Sequence, residues 1–354
     1  MEKNDLLIIL HNFDIAPSAY GLKPINQGFI NDTYLVFEGD RPSYVLQRIN
    51  TAVFSNVDGL MNNLGKALDF LEDTDYAKIS LVKTQDGMSF FKAPSAGCWR
   101  LMTYIDNSTA YDTTSDVELA FEAGRIIGKF HTLLQNADLE AFVDVIPGFH
   151  DLKLRETQFL KALGNASDPR KEIAKNAIGF TQKSLPKLKE MERTDSPLRI
   201  CHNDTKLNNI LFSKTDRKAL CLIDLDTLMC GHFHYDFGDA VRTIVNTAPE
   251  DEKEHHKITF DKDLFESFVS GLSTNASFLT QTELDQLAYG VVLLPFLHGI
   301  RALTDFLNGN IYYKVAYENQ NLDRALSLYD FTQKAMDNIV FMEKVIERKL
   351  SVNS

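Results

Sequence analysis

The densest polar run in the chain is His202-Asn203-Asp204-Thr205-Lys206-Leu207-Asn208-Asn209, entered from apolar Leu198 and Ile200 and left through Ile210-Leu211-Phe212. Strands do not normally carry such a load, so the run reads as a loop between short strands. Further on, the apolar stretch Ala219-Leu220-Cys221-Leu222-Ile223 ends on two carboxylates, Asp224 and Asp226. A hairpin turning at Lys214-Thr215-Asp216-Arg217 brings Asp204, Asn209, Asp224 and Asp226 to adjacent strand ends. Carboxylate and amide oxygens in that grouping suit phosphoryl transfer. That reaction needs a carboxylate near the attacking hydroxyl and oxygen ligands that hold Mg²⁺ on nucleotide phosphates. Taken singly, each residue has a blander role: Asp204 as a turn cap, Asn208 and Asn209 as Asx-turns, Asp224 as a strand-end carboxylate. The spacing of the whole set inside one apolar frame carries the chemical reading.

The order His-x-Asp-x-Lys-x-x-Asn matches the protein-kinase catalytic loop. On that match Asp204 takes the place of the catalytic base, Lys206 that of a phosphate-facing lysine, and Asn209 and Asp224 those of metal ligands. Asp226 is open between a second metal group and a local hydrogen-bond anchor. His202 reads as a loop-supporting imidazole. Asp236 and Asp239, in Tyr235-Asp236-Phe237-Gly238-Asp239, read as anchors beneath the loop and helix-start caps rather than catalytic groups.

Two different halves must position these residues. From Ile25 to about Thr103 the chain is strand-rich, with Tyr34–Phe37, Tyr44–Ile49, Ser89–Phe91 and Trp99–Met102 bounded by turns such as Glu38-Gly39-Asp40. One helix interrupts them at about Val57–Leu71, where Leu60, Met61, Leu64, Leu68 and Leu71 recur at helical spacing. After Asp116 the pattern is helical, with segments from Val117 to Leu133 and near 152–163, 180–191, 264–272, 283–307 and 322–346. The expected fold is α+β and bilobal, with a small antiparallel sheet in residues 1–103 and a larger helical lobe in residues 104–354 that carries the polar hairpin.

Bulk properties narrow the partners. The 354 residues, 44% hydrophobic and 24% charged, suit a folded enzyme of two lobes. A net charge of −12 argues against a broad nucleic-acid or anionic-membrane surface, though a local set of cations can still hold a nucleotide. The four widely spaced cysteines suggest neither a disulfide framework nor a zinc site. With no recognisable leader and no run approaching the roughly 18 apolar residues of a membrane span, a cytoplasmic monomer is expected.

The segments HNDTKLNNILF, CLIDLDTLMCGHFHYDFGDAVR, GFINDTYLV and YVLQRIN resemble the aminoglycoside-phosphotransferase and choline-kinase-like family, over about Leu22 to Lys344, and within it the N-acetylhexosamine 1-kinases. The resemblance implies a protein-kinase-like fold and Mg²⁺-dependent transfer of the ATP γ-phosphate to the anomeric hydroxyl of N-acetylglucosamine or N-acetylgalactosamine. It implies that Gly28, Asn31, Asp32 and Thr33 form a phosphate-covering turn, and that backbone groups of Met102, Tyr104 and Ile105 read the adenine edge. Gln47 stands where protein kinases place a strand lysine, so the phosphate-pairing cation is unassigned; Arg48 is a candidate, and a solvated strand residue is its alternative. For the acceptor the resemblance points to Arg301, Asp305, Tyr312 and Tyr313, besides Asp204. Arg301 rides on an apolar helix and needs a partner or ligand, and an i,i+4 salt bridge to Asp305 competes with ligand contact. Two rival readings stay open: a kinase of another small alcohol, such as an amino sugar, choline or homoserine, and a silent ligand-binding pseudokinase suggested by the missing lysine.

Overall fold

The computed structural model describes residues 2–25, 30–193 and 195–351. The chain opens with α1 (Lys3–Leu10), β1 (Tyr20–Ile25), β2 (Asp32–Glu38) and β3 (Arg41–Ile49), followed by α2 (Val57–Phe70), β4 (Leu81–Val82), β5 (Phe91–Ala93) and β6 (Gly97–Thr103). Short β7 (Ser108–Thr109) leads into the helical half: α3 (Val117–Leu134), α4 (Leu152–Asn165), α5 (Asp168–Ile173) and α6 (Lys175–Met191). The polar hairpin follows as β8 (Arg199–Cys201), β9 (Ile210–Ser213), β10 (Ala219–Leu222) and β11 (Met229–Gly231). After it come α7 (Phe233–Ile244), α8 (Lys262–Ser273), α9 (Gln281–Leu307), α10 (Gln320–Asp337) and α11 (Ile339–Leu350).

The first sheet is antiparallel throughout, in the order β1-β2-β3-β6-β4 with β5 also on β6. Its register sets which side chains share a face. Leu46 lies opposite Leu101, Arg48 opposite Trp99, and Gln47 opposite Arg100. Strand alternation therefore divides Arg48 and Trp99 from Gln47 and Arg100. Leu46, Trp99 and Leu101 pack with Val36 and with Leu6, Ile9, Leu10 and Phe13 of the α1 region into one small core. The helix α2, capped by Asn56, whose side chain accepts from the Gly59 N–H at 2.9 Å, joins a different core. Its Leu60, Met61, Leu64 and Leu68 belong with Leu119, Ile126, Phe212 and Leu222 of the helical half.

Helices of that half approach closely where glycine removes the side chain. A Cβ on Gly238 of α7 would sit 2.1 Å from the Gly290 carbonyl oxygen of α9, and one on Gly290 would sit 2.1 Å from the His234 carbonyl oxygen. These contacts fix α7, and with it Asp236 and Asp239, against α9. The reading of no membrane-length apolar segment needs correction. The 27-residue α9 is long and apolar enough to cross a bilayer, and 83% of its most apolar stretch is buried inside the fold. Scattered polar residues such as Gln286 and His298 broke the apolar run in the sequence, and helix α9 serves as the central core helix.

Candidate active site

The loop between β8 and β9 is built on Asp236, a fully buried carboxylate on α7. Its Oδ1 accepts from the Asn203 N–H at 2.6 Å and its Oδ2 from the His202 N–H at 2.8 Å, with His131 Nε2 at 2.9 Å from the same Oδ2. Asn203 takes the left-handed conformation, φ 62°, which Asn tolerates better than most residues. The His202 ring ties both sides of the hairpin: Nε2 donates to the Ile223 carbonyl at 2.8 Å and Nδ1 accepts from the Asp204 N–H at 3.2 Å. Both nitrogens face backbone groups, so His202 holds the loop and is not free to act as a base.

Asp204 emerges from this frame partly open to solvent. Its Oδ2 accepts from Asn209 Nδ2 at 2.9 Å and lies 3.0 Å from Lys206 Nζ. Among the described residues nothing donates to Oδ1, which leaves that oxygen for an incoming hydroxyl. Burial opposes the charge on Lys206, but Asp204 and Asp224 outweigh it and hold the ammonium above its ordinary pKa. Asp224 lies across the hairpin, where the Ile223 N–H donates to the Asn209 carbonyl at 2.8 Å. It too is left-handed (φ 60°, ψ 51°), ending β10 and turning its carboxylate outward. Although Asp224 stays open to solvent, the surrounding protein, with Asp226 next in effect, pushes its pKa up to about 6.

This donor set fits a hard divalent cation. Because Asn209 commits its Nδ2 to Asp204, its Oδ1 is left for a metal, and the Asp224 carboxylate has no donor among the described residues. The crowded negative charge favours a cation. No group of three or more His, Cys, Asp or Glu suited to a metal is present among the described residues. Two protein oxygens leave most of the shell to phosphate oxygens and water, as Mg²⁺ on a nucleotide prefers. Asp226 is placed otherwise. It is 3% exposed, is ion-paired through Oδ1 with Arg100, and accepts from Asn31 Nδ2 at 2.6 Å through Oδ2.

The nucleotide-side residues separate. Gly28 lies outside the described residues. Asn31 bridges Asp226 and the Asn50 N–H (2.9 Å), and Thr33 accepts from Gln47 Nε2 at 3.0 Å. Asp32 and Arg48 pair with each other, both side chains close to half exposed, Arg48 on the face of Trp99 rather than of Gln47. Gln47 Oε1 accepts twice from Arg100, from Nε at 3.0 Å and from Nη2 at 2.7 Å. Met102, Tyr104 and Ile105 are half-buried at the end of β6; the Tyr104 N–H is taken by the Ser43 carbonyl and the Ile105 carbonyl by the Ser108 hydroxyl. The Ile105 N–H has no partner among the described residues.

On the opposite flank, Arg301 makes no salt bridge among the described residues; its guanidinium lies over the Phe149 ring, 4.9 Å from the centroid. The competing i,i+4 pair does not form because Asp305 is committed elsewhere. Its oxygens accept from the Ile311, Tyr312 and Tyr313 N–H groups at 2.8–3.0 Å and from Asn321 Nδ2 at 2.9 Å. Tyr313 is half-buried and Tyr312 exposed. Around Arg301 stand two imidazoles kept neutral chiefly by burial, His150 lowered to about 3 and His298 to about 4. His298 Nε2 and Arg242 both reach Asp239 Oδ1, while the buried Oδ2 of Asp239 has no partner among the described residues. Sequence reasoning missed Arg100, Asp239 as a buried carboxylate with one oxygen unpartnered among the described residues, His150 and His298. An arginine between Trp99 and Leu101 was the available signal for the first. A separate open hollow of about 730 Å³, lined by Glu72–Lys78 and the β9–β10 turn, includes none of these residues.

Residues 21–262 match the family described as "Phosphotransferase enzyme family" (APH). The chain belongs to that family. Solved structures of similar fold include a microcompartment-associated aminopropanol kinase, 18% identical, covering 97% of this chain and 99% of that one at TM-score 0.60. Choline kinase from Cryptosporidium parvum Iowa II is 15% identical, covering 99% of each chain at TM-score 0.64. Spectinomycin phosphotransferase, solved with ADP and spectinomycin, is 12% identical, covering 98% of this chain and 99% of that one at TM-score 0.60. A phosphotransferase of this family therefore has the kinase-like fold expected from its sequence.

Proposed function

We propose that this phosphotransferase is an ATP- and Mg²⁺-dependent kinase that phosphorylates the anomeric hydroxyl of an N-acetylhexosamine. Residues 1–103 serve as the nucleotide lobe and residues 104–354 as the acceptor lobe, working as a cytoplasmic monomer. In this reading Asp204 Oδ1 accepts the proton of the sugar hydroxyl as the sugar oxygen attacks the γ-phosphorus, and the bond from that phosphorus to the β-bridging oxygen breaks, releasing ADP. Asn209 Nδ2 and Lys206 hold the other carboxylate oxygen in place. Asn209 Oδ1 and Asp224 hold the metal, which neutralises the phosphate oxygens when bound. Asp226 orients this end of the hairpin from its buried pair with Arg100. Asn31, Thr33 and Gln47 shape the phosphate side, and the Met102–Ile105 backbone reads the adenine edge in this reading.

The observation that carries the sugar reading is Arg301, a half-buried guanidinium without a carboxylate partner among the described residues. Arg155 is near enough for Arg301 to help burial lower its pKa to about 10. The neighbouring carboxylates are mostly engaged: Glu250 by Arg242 and Arg324, Asp305 by backbone, and Asp239 through Oδ1 by Arg242 and His298, which leaves only its buried Oδ2 as an acceptor. A cationic amine would enter against two guanidiniums, whereas a neutral sugar with hydroxyl and amide oxygens finds donors. Asp305 positions the Tyr312–Tyr313 loop over this flank. The aminopropanol and choline kinases of similar fold keep a second reading, phosphorylation of another small alcohol, in play. A panel of N-acetylhexosamines, amino sugars, choline and homoserine with Mg·ATP, its products read by phosphorus NMR, separates the two. An anomeric phosphate on the N-acetylhexosamines is expected, and turnover of an amine alone overturns the sugar assignment.

A further inference from the structure

The strand position that holds a phosphate-pairing lysine in protein kinases is glutamine here, and among the described residues the cation that Gln47 contacts is Arg100. The two are cross-strand partners on β3 and β6, so their side chains emerge on one face. Arg100 is 1% exposed, deep in a protein of net charge −12, and a buried guanidinium is costly unless it serves a fixed anionic partner. Its Nε and Nη2 donate to the single oxygen Gln47 Oε1, which aims the fork without neutralising it. Its Nη1 reaches Asp226, two residues from the carboxylate read as the metal ligand. Of its five N–H groups, three are used by these contacts, leaving donors to spare on both terminal nitrogens. The other cation raised for this role, Arg48, lies on the opposite face and is paired with Asp32.

We propose that Arg100 is the phosphate-pairing cation of the nucleotide site, delivered from β6 in place of the lysine missing from β3, with Gln47 as its positioning residue. This inference rests on the nucleotide reading above. It adds that Asp226 is the ligand Arg100 holds before the nucleotide phosphates arrive, and that the phosphates share or replace that carboxylate on the guanidinium. A planar fork held by Gln47 favours bidentate contact with phosphate oxygens, which lysine in the same place would not supply.

The test is calorimetric titration of the full chain with ADP and with adenosine, both in EDTA so that no metal intervenes. Arg100→Met is expected to weaken ADP at least tenfold while adenosine stays within twofold, and Arg100→Lys, which keeps the charge but not the fork, to fall between wild type and Arg100→Met. Arg100→Met leaves Asp226 buried without its cation, so Arg100→Met/Asp226→Asn is measured alongside and carries the test alone if the single variant does not fold. The double variant is expected to remain at least tenfold weak for ADP. Recovery of ADP binding to within twofold of wild type in the double variant, or no loss in the single one, overturns the proposal, because Arg100 then only neutralises Asp226. Failure of the wild-type chain to bind ADP would remove the nucleotide reading itself.

Discussion

Asp204 and Asp224 have opposite needs, and the structure supplies both. Asp204 is steadied by an ammonium and an amide, which keep its carboxylate aimed. Replacing it in Asp204→Asn is expected to lower kcat by about 10²–10⁴-fold with ATP affinity changed by no more than a few-fold; steady-state rates and ATP titration check this. Asp224 is crowded by protein and by Asp226, so its pKa rises to about 6 from the ordinary range near 4. A raised carboxylate pKa means that the folded state binds this proton more tightly than the unfolded chain. The stability that the proton provides is present below about pH 4 and is lost as pH rises through about 6. Asp224→Asn, which keeps a side chain tolerant of the left-handed backbone, is therefore expected to raise Tm slightly at pH 7.5, solvent screening the exposed charge, and not at pH 4. The same proton would compete with the proposed metal, so wild-type Mg²⁺ affinity should fall about tenfold per pH unit below 6, measured by Mg²⁺ titration of nucleotide binding.

The elements that hold these residues were unequally legible. The hairpin read directly because apolar strands flanking a polar loop are a strong contrast, and α2, α3, α4, α8 and α9 showed their helical period. Helix α7 did not, since its sequence Tyr-Asp-Phe-Gly-Asp looks like a loop. Asp236 and Asp239 face inward as anchors, and Gly238 exists for close contact, a reason visible only with α9 beside it. The segment 322–346 read as one helix, but it breaks at Asn338 between α10 and α11 without glycine or proline to mark the turn. Arg100 escaped because a strand charge between apolar neighbours ordinarily faces water, and its partners come from Gln47 and from Asp226, distant in sequence. The glycine contact makes a prediction at this scale. Gly290→Ala meets backbone rather than a yielding side chain, so it is expected to cost about 1–3 kcal/mol by urea unfolding. It should also lower kcat, because α7 anchors the catalytic loop.

Across the whole molecule, two hydrophobic cores divide the chain differently from its sequence order. The β1–β6 sheet and α1 share the smaller core, while α2, inserted between strands of that sheet in sequence, packs with the helical half. The sheet is thus joined to the rest by three connections: residues 50–56 from β3 into α2, 71–80 from α2 back to β4, and 104–107 from β6 to β7. The Arg100–Asp226 pair and the Asn31–Asp226 hydrogen bond tie it down beside the hairpin. A plate moored at three points can tilt, but it cannot swing like a door on one hinge. Loading with Mg·ADP and the proposed acceptor should accordingly leave the radius of gyration in small-angle scattering unchanged within error. Access for reactants is then expected to come from slight rocking and from rearrangement of short turns, so that constant dimensions in scattering, rather than a wide opening, are the anticipated mark of this build.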